Sequence, residues 1–135
     1  MKKRILIVGL DGFTWQIGYR LIQHGAMPTL GTLVQGGTHG ILRSVFPFET
    51  CPAWASFQTG CLPNQTGIFS FYKYDDQTKG FRLNNYHDIQ VPTILDMLHQ
   101  QGKKAIWINL PLTAPAPSID GVVIPGLMCP EISRQ

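Results

Sequence analysis

Ile5-Leu6-Ile7-Val8-Gly9-Leu10-Asp11-Gly12 is the stretch on which the fold reading turns. Ile5 to Gly9 is short, wholly apolar and β-branched, the pattern expected of a strand buried on both faces of a parallel sheet. Gly9-Leu10-Asp11-Gly12 is then its turn. Working outward, Thr14 to His24 predicts a helix with Trp15, Tyr19 and Ile22 on one face and Gly25 at its stop. Pro28 opens a second helix, with Leu30, Leu33 and Val34 at i, i+3, i+4 spacing, and Gly36-Gly37 ends it. Ile41–Phe46 predicts a second strand.

Pro52 in a first turn and Gly60 at the end mark a short helix over Ala53–Thr59, packed by Trp54 and Phe57. Phe69–Tyr74 and Phe81–Asn85 flank the turn-rich Asp75-Asp76-Gln77-Thr78-Lys79-Gly80, which predicts an aromatic β-hairpin. Pro92 opens a further helix carrying Ile94, Leu95 and Leu98 and closed by Gly102. Ala105–Leu110 predicts a third strand, Pro111–Pro117 a loop, and Val122–Ile124 a fourth strand. Helices alternating with apolar strands indicate an α/β fold, a mainly parallel sheet flanked by helices. No repeat, low-complexity segment or domain boundary stands out.

At 135 residues the chain can bury a real core, and 44% hydrophobic with 14% charged residues is ordinary for a globular protein. A net charge of +3 is too weak for a nucleic-acid binder. Lys2-Lys3-Arg4 and Lys103-Lys104 are read as solvated flanks of neighbouring strands. The first apolar run is broken by Gly9 and ended by Asp11, too short for a signal-peptide core of about 7–15 residues. No stretch approaches the ~18–20 apolar residues of a membrane span. Cys51, Cys61 and Cys129 are odd in number and lack CxxC spacing, so reduced thiols and a cytoplasmic location are expected. Asn64-Gln65-Thr66 matches a glycosylation sequon, read as chance without a secretion signal.

The chemistry concentrates in two places. Ligands of open α/β sheets bind at the carboxyl ends of strands, where Asp11 would sit. A carboxylate there repels phosphate unless a divalent cation pairs with both; the alternative is that Asp11 caps the following helix. In Phe46-Pro47-Phe48-Glu49-Thr50-Cys51-Pro52-Ala53-Trp54, Pro52 places Thr50 and Cys51 just before a helical N-terminus, which favours an anion. A hydroxyl there can attack phosphorus if a metal lowers its pKa; the alternative is an N-cap threonine. Cys51 has no evident His partner and reads as a small buried hydrophobe.

Taken together these segments resemble a known family. The Ile5–Gly12 run, Met27-Pro28-Thr29-Leu30, and Phe46-Pro47 through Thr50-Cys51-Pro52-Ala53-Trp54 are similar to the opening of type I phosphodiesterase/nucleotide pyrophosphatase proteins, of the alkaline phosphatase superfamily. Thr59-Gly60-Cys61-Leu62-Pro63, Gly67-Ile68, Pro92-Thr93-Ile94-Leu95-Asp96 and Asn109-Leu110-Pro111 continue the likeness over nearly the whole chain. The resemblance implies an alkaline-phosphatase-like core, incomplete in this chain, with the aromatic hairpin as an insertion. It implies that Asp11 is a metal ligand, and that Thr50 is both nucleophile and metal ligand, passing through a phosphothreonine-type intermediate. Two zinc ions, or other divalent metals, would stabilise the attacking and leaving oxygens. The substrate implied is a small-molecule phosphate ester.

Some positions depart from the family pattern. Ala53 stands where its nucleotide pyrophosphatases carry Asn, and Thr66 where His is usual in Pro-x-x-His-Gly; both point away from nucleotide substrates specifically. The remaining ligands that the resemblance implies, further Asp and His residues, fall beyond Gln135. His24, His39, His87 and His99 do not replace them by pattern. The tyrosines and Arg82 of the hairpin are either substrate contacts or packing residues. The rival reading is a non-catalytic, truncated α/β fragment, a binding or assembly module that self-associates through open sheet edges.

Overall fold

The structure is a computed structural model and describes residues 4–127. The chain divides into two compact units, Met1–Arg43 and Ser44–Gln135.

The first unit carries helices α1 (Trp15–Gln23) and α2 (Pro28–Gly36). Thr14 caps α1: its backbone is extended and its Oγ1 accepts from the Ile17 N–H at 3.4 Å. Pro28 sits at the start of α2, where its missing N–H costs nothing. Gly31 is buried on α2, and a Cβ there would meet Ile22 Cγ2 of α1 at 3.1 Å, so the bare backbone lets the helices approach. The Trp15 indole donates to the Gly40 carbonyl at 2.6 Å, tying the following loop back to α1.

The strands predicted over Ile5–Gly9 and Ile41–Phe46 do not form. Ile5 is 87% exposed and Leu42 93%. A β-branched run favours extended backbone, but a strand exists only through its ladder, and neither segment has a ladder partner among the described residues.

The second unit carries α3 (Thr50–Thr59), the single turn α4 (Pro63–Thr66), strands β1 (Tyr72–Asp75) and β2 (Gly80–Leu83), and a 3-10 turn at Tyr86–Asp88. Helix α5 (Ile94–Gln100) and strands β3 (Ala105–Leu110) and β4 (Gly121–Pro125) follow. The predicted hairpin is present: β1 and β2 pair antiparallel, with Tyr72 opposite Leu83 and Tyr74 opposite Phe81. Asp75 builds its turn, accepting from the Gln77 N–H at 3.1 Å and the Thr78 hydroxyl at 2.9 Å. The third and fourth predicted strands are β3 and β4, which run parallel from Ala105 opposite Gly121. Helices with one antiparallel and one parallel strand pair make a mixed α/β arrangement, and the parallel sheet is this two-stranded one. Its strands are not buried on both faces, since Ile106 and Ile108 are exposed.

Gly121 opens β4 with φ +155°, and a Cβ there would overlap the Ala105 carbonyl oxygen. The core of the unit is Cys51, Ala55, Ile68 and Leu112, flanked by Phe71 and Ile89. The segment after β3 runs beneath α3: Pro111 through Ala114 are buried, and Gln58 Nε2 donates to the Pro111 carbonyl at 2.9 Å.

Candidate active site

Helix α3 begins three residues before the predicted start at Ala53. Glu49 is the N-cap, extended at φ −129° and ψ 157°, and Thr50 is the first helical residue. The prediction placed Pro52 at the entrance to the first turn and began the helix at Ala53. Proline is tolerated throughout the first turn, because none of the N–H groups there has an intrahelical partner. The ladder starts with the Ala53 N–H donating to the Glu49 carbonyl at 3.2 Å. Thr50 is therefore not the N-cap of this helix.

Thr50 is half-buried and its neighbour Cys51 is fully buried, as expected of a small hydrophobe. The buried positions Cys51, Ala55, Gln58 and Thr59 follow i, i+4, i+7, i+8, which makes them the core face. Trp54 and Phe57, expected to do the packing, pair edge to face at 5.4 Å on the other side, with Phe57 exposed. The first turn is thus anchored one residue from the Thr50 hydroxyl. Upstream, Phe46 and Phe48 form an exposed edge-to-face pair with ring centroids 5.7 Å apart.

Asp11 lies in a turn with Gly12, whose φ of +66° suits glycine. It is exposed, and since Thr14 caps α1, Asp11 does not. Asp11 belongs to the first unit and Thr50 to the second.

Among the described residues, no group of three or more His, Cys, Asp or Glu side chains is placed to hold a metal ion. His39 meets the Trp15 and Tyr19 rings edge to face, while His24 is the C-cap of α1. Asp11 and Thr50 are oxygen donors of the kind that hard cations accept, but two donors do not complete a zinc site, which takes three or four protein ligands.

Arg82 of the hairpin is held within the fold by an ion pair. Together with Lys73, directly opposite it in the hairpin, it is committed to Asp88 of the 3-10 turn. Burial alone would raise the Asp88 pKa, but Arg82, Lys73 and the Asn85 N–H outweigh it and hold the carboxyl well below the usual carboxylate range. Sequence reasoning missed this cluster; the available signal was two cations at facing hairpin positions and an acid a few residues on. Thr66 is fully buried, its hydroxyl donating to Pro63 at 3.4 Å and accepting from the Ile68 N–H at 3.3 Å.

The family model described as type I phosphodiesterase / nucleotide pyrophosphatase matches residues 5–133. The chain belongs to that family. The match spans the Asp11 turn, the Thr50 helix, the hairpin and the β3–β4 pair, and it places this phosphodiesterase-family chain in a class of phosphate-ester hydrolases. No curated protein and no solved structure was found to match it. No helix among the described residues is long and apolar enough to cross a membrane.

Proposed function

We propose that the protein is a metal-dependent hydrolase of small phosphate esters in which Thr50 is the nucleophile and Asp11 a metal ligand. The observation that carries this reading is the place of Thr50: half-buried at the first residue of α3, beside a fully buried Cys51, with Glu49 in the N-cap position. As the hydroxyl gives up its proton to solvent, its Oγ would attack phosphorus, the P–O bond to the leaving group would break, and the alkoxide or phenoxide would depart with the electron pair and be protonated by water. Water then attacks the phosphothreonine, restoring the hydroxyl and releasing the phosphate product. A divalent ion, expected to be zinc, would supply Lewis-acid activation of the hydroxyl and neutralise phosphate charge. Ala53, which offers no amide, and the Thr66 hydroxyl, spent inside the fold, weaken the case for nucleotides specifically within a phosphodiesterase or nucleotide pyrophosphatase activity.

The test, made on the longest natural form of the protein supplied with zinc, compares Thr50→Ala and Thr50→Ser with that form on an aryl phosphodiester and an aryl phosphomonoester. Thr50→Ala should lose turnover on both while the protein stays folded, because the residue is small and half-buried at a helix entrance. Thr50→Ser keeps a hydroxyl and should keep measurable turnover. A folded Thr50→Ala variant with undiminished activity refutes the assignment.

A second reading, an assembly module associating through open sheet edges, is favoured by the exposed apolar runs Ile5–Val8 and Ile41–Leu42 and by the unpaired edges of β3 and β4. Sedimentation over a hundredfold concentration range tests it: a shift to larger species supports association, and a constant monomer excludes it.

A further inference from the structure

The two faces of the β1–β2 hairpin are inverted relative to the usual apolar-in, polar-out arrangement. Residues directly opposite in an antiparallel pair project from the same side, and that side alternates along each strand. The register therefore puts Lys73 and Arg82 on one face and Tyr72, Tyr74, Phe81 and Leu83 on the other. The charged face is the one turned toward the protein. Lys73 and Arg82 close on Asp88, and Phe71, two residues before Lys73, packs against the core of the unit. The aromatic face is left to solvent: Tyr72 is 58% exposed, Tyr74 50%, Phe81 76% and Leu83 44%. Tyr74 and Phe81 lie edge to face with ring centroids 5.6 Å apart, so the patch is continuous across both strands.

We propose that this aromatic face is a dimerisation surface, covered in solution by the same face of a second copy of the chain. Its four side chains carry no charge, and the cations of the opposite face are committed to Asp88, so neither an acidic nor a basic partner is selected. The polar side-chain atoms on it are two phenol oxygens, each both donor and acceptor, which makes the face complementary to itself. An aromatic side chain buries about 150–250 Å² when fully covered, so these exposures leave roughly 350–550 Å² on each copy. Two copies together bury about 700–1,100 Å², the low end for a specific interface and the mark of a weak, reversible dimer. A twofold axis through the face pairs it with itself and leaves a third copy no place to add, whereas open sheet edges can go on adding copies.

The experiment is sedimentation velocity on the longest natural form of the protein, from about 1 μM to 1 mM. The mass should rise from one copy to two and stop there. Phe81→Glu and Tyr74→Lys, both at exposed positions that leave the Asp88 contacts in place, should each weaken dimerisation by about tenfold or more. Two variants of opposite charge, each checked by circular dichroism, leave a folded one to decide if the other fails to fold. Ile106→Lys, at an exposed position of β3, should leave the dimer unchanged. The dimer should persist in about 1 M salt, because apolar contact is not screened as charge pairing is. Association lost in Ile106→Lys and kept in folded hairpin variants assigns the contact to the β3–β4 sheet and overturns the proposal. A monomer at every concentration overturns it too, as does growth past two copies. No step of hydrolysis enters these measurements, so their outcome is independent of the Thr50 assignment.

Discussion

Arg82 grips Asp88 with both terminal nitrogens, Nη1 to Oδ2 and Nη2 to Oδ1, each at 2.7 Å. Lys73 closes on the same carboxylate at 2.9 Å, and the Asn85 N–H adds a fourth contact at 2.9 Å. The acid is nearly enclosed, with a side-chain exposure of 7%. The hairpin is thereby fastened to the turn that follows it.

The Asp88 carboxyl has a lower pKa folded than unfolded, so its contribution to stability is full above the unfolded value, about 3.9, and is lost as pH falls toward the folded one. Asp88→Asn should cost about 1–2 kcal/mol at neutral pH, the partly exposed cations limiting the loss. Its stability should also depend less on pH below about 4 than that of the natural chain. Urea melts at pH 7, 4 and 3 check both statements; parallel pH curves for the two proteins would refute them.

Tyr86 behaves in the opposite sense. Burial first, then its hydrogen bond to Asp96 Oδ1 at 2.6 Å, pushes the phenol up to about 12. A raised folded pKa means stability that is present below the unfolded value, about 10, and lost as pH rises through the folded one. Tyr86 should ionise late in a spectrophotometric titration, and Tyr86→Phe should remove that late phase. The variant should also lose less stability between pH 10 and 12; an unchanged titration curve would contradict the assignment.

Gly121→Ala places a methyl group against the Ala105 carbonyl, backbone that cannot step aside, at a φ that side chains rarely adopt. The substitution should destabilise by about 1–3 kcal/mol through loss of β3–β4 pairing. Hydrogen exchange at Ile106 and Ile108 should accelerate more than exchange in α3. Uniform protection across both elements would contradict this.

Residues 1–135 by themselves should retain no stoichiometric zinc after dialysis, because Asp11 and Thr50 supply two donors and the described residues hold no three-ligand cluster. Elemental analysis decides it, and one tightly held zinc per chain would refute the prediction and reveal further ligands.

The legible parts of the fold were those fixed by nearby residues. Pro28 and Gly36 delimit α2, the Asp75–Gly80 turn fixes the hairpin, and Ala105–Leu110 is β3 to the residue. Ile5–Gly9 and Ile41–Phe46 were not legible, because strand formation depends on a neighbour that composition does not reveal. The start of α3 was misplaced because one proline is compatible with several first-turn positions. For the site, the sequence marked Thr50 and Asp11 but left open whether they were caps. Only the identities of the actual caps, Glu49 and Thr14, remove that alternative. The Asp88 cluster and the Tyr86–Thr93–Asp96 network join residues by side-chain reach, which no local pattern encodes.

Cys51 has no exposed surface although it adjoins Thr50. A thiol-specific reagent can therefore reach it only when the first turn of α3 comes away from Ile68 and Leu112. The half-time of its modification is a clock for that opening, readable without any substrate, and half-exposed Cys61 serves as the fast internal standard. Any ligand that settles against Thr50 and pins the turn should slow the Cys51 clock and leave the Cys61 one running, which turns an inert sulfur into a reporter of occupancy.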